Sequence, residues 1–100
     1  MPLCINYPQN SEVIHRPSYF PYTVRGTTPG GGILAWQLDN GNLQFITHTG
    51  GPGSLEGTFS FQLQATDCPV DKWYLLVMHF WSMPSGEFIT TAVAFRVVSP

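Results

Sequence analysis

Residues 33–48, ILAWQLDNGNLQFITH, decide the fold. Two runs of alternating side chains flank Asn40-Gly41, a dipeptide that supplies positive φ at both centres of a type I′ turn, whose twist matches that of paired strands. A two-residue turn there predicts a hairpin of strands 33–39 and 42–48. It also sets a register. Leu38 faces Leu43, Trp36 faces Phe45 and Leu34 faces Thr47 on one side, while Gln37 with Gln44 and Ala35 with Ile46 fall on the other. The large apolar side is the expected core side, with Trp36 as its central aromatic.

Outward from the hairpin, Gly and Pro clusters at 8–17, 26–32, 50–53, 67–71 and 82–86 cut the chain into short segments rich in β-branched and aromatic residues. These read as strands at 3–7 (continuing at 12–14), 20–26, 57–65, 72–81 and 88–98. Phe59, Phe61 and Leu63 point inward, and Thr58, Ser60, Gln62 and Gln64 outward. Tyr22 and Val24 point inward, Thr23 and Arg25 outward, and Val93, Phe95 and Val97 complete the core. The expected fold is all-β, a two-sheet antiparallel β-sandwich of about seven strands. Strands 3–7, 20–26 and 57–65 form one sheet, and 88–98, 72–81, 33–39 and 42–48 the other.

The chain has 100 residues, 43% hydrophobic and 14% aromatic, enough for one core and hence one domain spanning 1–100. Only 10% of residues are charged and the net charge is −2. Arg16, Arg25, Lys72 and Arg96 are dispersed, so no basic stripe awaits nucleic acid. The longest uncharged apolar run, Trp73 to Trp81, is half the roughly 20 residues of a membrane helix, and no membrane insertion is expected. The N-terminal Met-Pro-Leu-Cys-Ile-Asn lacks the charged and apolar stretches of a signal peptide, so Met1 is expected to mark a domain edge. Cys4 and Cys68 fall at opposite ends of the expected sandwich, too far apart to bridge, and are expected to remain thiols.

The chemistry-bearing residues do not assemble into a catalytic pattern. Gly51-Pro-Gly-Ser54 lacks the G-x-S-x-G elbow, and Gly30-Gly-Gly32 has no following Lys-Ser/Thr for phosphate. Asp39-Asn-Gly-Asn42 has turn chemistry without calcium-ligand spacing. Glu12, Asp39, Glu56, Asp67, Asp71 and Glu87 are scattered. His15, His48 and His79 sit in or near three separate elements without zinc spacing. The expectation is a protein that is not an enzyme and uses no cofactor or metal.

Strand 72–81 breaks the alternation. Tyr74, Leu76, Met78 and Phe80 suffice for the core, yet Trp73, Leu75, Val77, His79 and Trp81 occupy the other face, where polar residues belong. Their expected outward neighbours are Ala92 and Ala94, Ile33 and Ala35, and Ile46. A contiguous apolar patch on an outer face marks an interaction site. Its expected occupant is a neighbouring domain, a partner protein or a second copy of the chain. An alternative is carbohydrate, with Trp73, Trp81 and Tyr19 stacking on sugar rings; another is an accessory role in a larger enzyme.

Ile5-Asn-Tyr-Pro8, Val13, Tyr22-Thr-Val-Arg-Gly26 and Ala35-Trp-Gln-Leu38 together resemble the opening of bacterial immunoglobulin-like domains. Gly57-Thr-Phe-Ser-Phe61 and Ala92-Val-Ala-Phe-Arg-Val97 are similar to later strands of the immunoglobulin-like domain associated with bacterial spore-germination proteins. The likeness spans nearly the whole chain and differs at Asn10-Ser11, where such domains carry Gly. It implies an immunoglobulin-like, non-catalytic, extracytoplasmic module of a bacterial envelope or secreted protein.

Overall fold

The computed structural model describes residues 3–15, 21–39, 41–51, 55–64, 68–82 and 86–99. It is all-β, with eight strands among the described residues: β1 (Cys4–Tyr7), β2 (Glu12–His15), β3 (Tyr22–Pro29), β4 (Gly32–Leu38), β5 (Gln44–Ile46), β6 (Glu56–Leu63), β7 (Lys72–Ser82) and β8 (Phe88–Val98). They form a three-stranded sheet, β1-β3-β6, and a five-stranded sheet, β2-β8-β7-β4-β5. Sheet membership follows the expected grouping, except that the first strand divides. β1 pairs antiparallel with β3, whereas β2 crosses to the other sheet and runs parallel to β8. An eighth strand and one parallel pair thus correct the expected seven-stranded antiparallel arrangement.

The division has a local cause. Pro8 has no N–H to continue a ladder, and the chain turns through Ser11 at φ 67°. The turn is anchored on β8: Ser11 N–H donates to the Ala94 carbonyl (2.6 Å), and Ala94 N–H donates to Asn10 Oδ1 (3.0 Å). The expected turn at Gly26 is also displaced, because β3 stays paired with β6 as far as Pro29. Gly26 serves close approach instead, since a Cβ there would strike the Phe59 ring and the Cys4 carbonyl. The expected strand ends at Phe20 and Ala65, and Asn40, Ser54 and Asp67, lie outside the described residues.

The β4–β5 register is one residue off the expected one, with Leu34 opposite Ile46, Ala35 opposite Phe45 and Trp36 opposite Gln44. Asp39 is the reason. It adopts φ 51° and bonds to β7: its N–H donates to the Leu75 carbonyl (3.0 Å), and its Oδ1 accepts from Leu75 N–H (2.8 Å). Gly41 N–H then reaches back to the Leu38 carbonyl at 2.9 Å, and the paired strands lie further apart in sequence than a two-residue turn allows. A slip of one residue turns every side chain of a strand over. Phe45 therefore faces outward, 66% exposed, and Ile46 packs against the core.

Between the sheets, Val24, Leu34, Leu63, Leu76, Met78, Phe80, Phe95 and Val97 are buried. The expected inward rows of β6, β7 and β8 are all present there. Trp36 is inward but marginal: it is half-buried and stacks on Phe61 (4.6 Å between centroids, 11° between planes), while Leu34 and Phe80 fill the centre. Cys4 is exposed, Cys68 is buried, and no disulfide joins them. Near the start of β7, Tyr74 donates its hydroxyl to the Pro69 carbonyl at 2.6 Å.

Tyr22 on β3 donates to Glu12 Oε2 on β2 (2.8 Å), tying the two sheets together. Burial raises the Tyr22 phenol well above its ordinary value of 10.0, and the hydrogen bond and negative charge of Glu12 raise it further. The folded state therefore keeps this proton after the unfolded chain has begun to lose it. The contribution is full below pH 10 and falls as pH rises above it. Urea midpoints taken between pH 8 and pH 11 should drop more steeply for the wild type than for Tyr22→Phe, by the usual linkage; equal slopes would place the dependence elsewhere.

Candidate interaction face

The outer face of the five-stranded sheet is built on β7, which pairs with β8 over 72–81 and with β4 over 76–82. Against β8 its register sets Trp73 opposite Arg96, Leu75 opposite Ala94, Val77 opposite Ala92, His79 opposite Thr90 and Trp81 opposite Phe88. Against β4 it sets Val77 opposite Gln37, His79 opposite Ala35 and Trp81 opposite Ile33. Directly paired residues share a face. Trp73, Leu75, Val77, His79, Trp81, Ala92, Ala94, Ile33 and Ala35 thus lie together, as the alternation implied. Ile46 does not, because the shifted register points it inward, and Phe45 takes its place opposite Ala35.

Phe45, Phe88 and Val13 complete this face and were missed from the sequence. Phe88 shares the parity of Ala92 and was legible from that alone. Phe45 was hidden by the register, and Val13 by the passage of β2 into this sheet, where it stands beside Arg96. Ile33, Trp73, Leu75, Phe88 and Val13 are about half exposed.

Four rings gather at the β5 end of the row. His79 stacks on Phe88 at 5.7 Å and on Trp81 at 6.0 Å, Trp81 tilts against Phe88 at 5.1 Å, and Phe45 tilts against Trp81 at 6.2 Å. Ala35, although outward-facing, is fully covered beside them. His79 Nε2 lies 3.1 Å from Gln37 Oε1, which can only accept, so this nitrogen carries the proton. Its Nδ1 and the Nε of Arg96 are buried without hydrogen-bond partners among the described residues. At the other end of the row, Lys72 pairs with Asp39 at 3.2 Å and lies over the Tyr74 ring.

The opposite outer face, on the three-stranded sheet, is polar. A shallow open groove of about 610 Å³ there is lined by Asn6, Arg25, Thr27, Thr58, Ser60 and His48, among others. His48 is held by the backbone, with Nδ1 2.6 Å from the Thr49 carbonyl and Nε2 2.8 Å from that of Gly32. His15 is exposed at the end of β2, so the three histidines stay apart. Among the described residues no cluster of His, Cys, Asp and Glu is arranged to hold a metal.

Of the three rings proposed for sugar stacking, Tyr19 lies outside the described residues. Trp73 and Trp81 stand at opposite ends of one strand, roughly 26 Å apart at the usual rise per residue, too far to grip one ring together. No helix is long and apolar enough to cross a membrane. No family model matches the chain, and neither the curated proteins nor the solved structures give a significant match.

Neighbouring positions of β5 test this geometry. Ile46→Ser should cost about 2 to 4 kcal/mol, as loss of a core aliphatic does. Phe45→Ser should stay within about 1 kcal/mol of the wild type because its ring is mostly in solvent. Urea denaturation measures both, and the reverse order would restore the two-residue turn.

Proposed function

We propose that this domain is a non-catalytic protein-interaction module of immunoglobulin-like type, part of a bacterial envelope or secreted protein. It binds through the outer face of its five-stranded sheet. The observation that carries the reading is the composition of that face: among the described outward strand positions Arg96 is the only formally charged side chain, while Trp73, Leu75, Ile33, Phe45, Phe88 and Val13 are substantially exposed. The same chain places Thr23, Arg25, Thr58, Ser60 and Gln62 on its other outer face, so the described outward positions of β3 and β6 there are polar.

Two features support the immunoglobulin-like assignment. The first strand divides between the sheets, leaving a three-stranded layer opposite a layer in which β8, β7, β4 and β5 follow one another. Tyr74, near the start of β7, bonds to a carbonyl five residues upstream, the tyrosine-corner arrangement of such sandwiches. The bacterial and extracytoplasmic setting rests on the sequence resemblance alone.

A charge at the centre of an exposed patch removes apolar surface without opening a cavity. Leu75→Lys and Val77→Lys should therefore fold with urea midpoints within about 0.5 kcal/mol of the wild type, as surface substitutions do. In dilute solution both should bind less of an apolar fluorescent dye such as ANS. If both variants unfold, the face belongs to the core and the reading is wrong.

A further inference from the structure

We propose that the occupant of this face is a second copy of the chain, packed sheet to sheet about a two-fold axis parallel to β7. The inference rests on the interaction-module reading above and names its partner.

Three observations favour a copy over a different protein. The first is charge. A face whose described strand positions carry only Arg96 as a fixed charge presents little like-charge repulsion to a second copy of itself. The second is area. Phe45, Phe88 and Trp73 are each half or more exposed, and Leu75 and Ile33 nearly half. Together they present on the order of 500 Å² of apolar surface, since one aromatic side chain offers roughly 150–250 Å². With a rim of Gln37, Thr90 and Arg96 the face approaches the ~800 Å² that each partner contributes to a stable interface.

The third is relief. On one side of β7 the small Ala92 and Ala94 of β8 leave a hollow; on the other, Phe45 of β5 stands as a ridge over the covered Ala35. A two-fold axis parallel to the strands and passing between β7 and β4 carries each copy's β5 over the other copy's β8. Phe45 shares its level along the strands with Ala35, His79 and Thr90, one step from Ala92. Each ridge therefore meets the other copy's hollow between Thr90 and Ala92, across the roughly 10 Å that separates stacked sheets.

Sedimentation equilibrium tests this from about 1 μM to about 1 mM. Reductant is kept present so that the exposed Cys4 cannot cross-link copies. The wild type should pass from monomer to dimer. Phe45→Lys and Ala92→Glu should each weaken the dimer by about a hundredfold, as an unpaired buried charge does. The double variant Phe45→Lys/Ala92→Glu should recover most of the loss, because each lysine meets the other copy's glutamate. Phe45 is mostly in solvent, so its variant retains the fold. A wild type that stays monomeric throughout overturns the proposal and assigns the face to a different protein; the dye measurement on Leu75→Lys and Val77→Lys then still decides the interaction-module reading independently. A dimer indifferent to both single variants, or a double variant no stronger than the singles, also overturns it.

Discussion

β7 is paired with β8 over 72–81 and with β4 over 76–82, and its side chains are largely apolar on both faces. A strand of that kind belongs to a sheet covered on both sides. Within this domain one side is covered: Tyr74, Leu76, Met78 and Phe80 meet Val24, Phe59 and Leu63 of the three-stranded sheet in one cluster. The other row has no second layer among the described residues, and on the proposed reading a partner covers it. The fold and the functional reading both follow from this two-faced strand.

The periphery of the sheet is organised around β7 by a few polar contacts. Asp39 bonds to Leu75 through both its backbone and its carboxylate, and Lys72 pairs with the same side chain. The exposed ion pair contributes little by itself. The carboxylate's bond to a backbone amide matters more, because it fixes where β4 ends and so which side of β5 faces the core. At the other margin, Asn10 and Ser11 hold the crossing chain to Ala94, and Glu12 receives the Tyr22 hydroxyl from the opposite sheet. The two strands at the sheet's margins, β2 and β5, have four and three residues, too short to offer a long ladder to another chain. On the proposed reading the sheet's face, rather than its short outer strands, is the recognition surface.

What the sequence made legible is what period-two alternation encodes. The inward rows of β6, β7 and β8 and the grouping of strands into sheets could be read because each depends on the strand's own side chains. The β4–β5 register could not. Asn40-Gly41 is a strong local signal for a two-residue turn, and it was overruled by a carboxylate bond from Asp39 to Leu75, which lies 36 residues further along the chain. That one contact exchanges Phe45 and Ile46 between the faces and leaves Trp36 at the margin. The crossing of β2 was equally hidden: Pro8 announces the end of a strand, but nothing near it announces a parallel partner at Phe95–Val98. Nine of the ten expected face residues are nevertheless brought together, because they follow the parity of β7 and its immediate neighbours rather than the turn.

The most direct test of a self-associating face uses the three tryptophans, two of which lie on it and one, Trp36, on the inner side. With 5-fluorotryptophan incorporated and each resonance assigned by a single Trp→Phe variant, fluorine NMR follows all three as protein concentration is raised. The Trp73 and Trp81 resonances should shift or broaden together while that of Trp36 stays fixed. A shift confined to Trp36, or none at either Trp73 or Trp81 in a sample shown to be dimeric, would contradict the account.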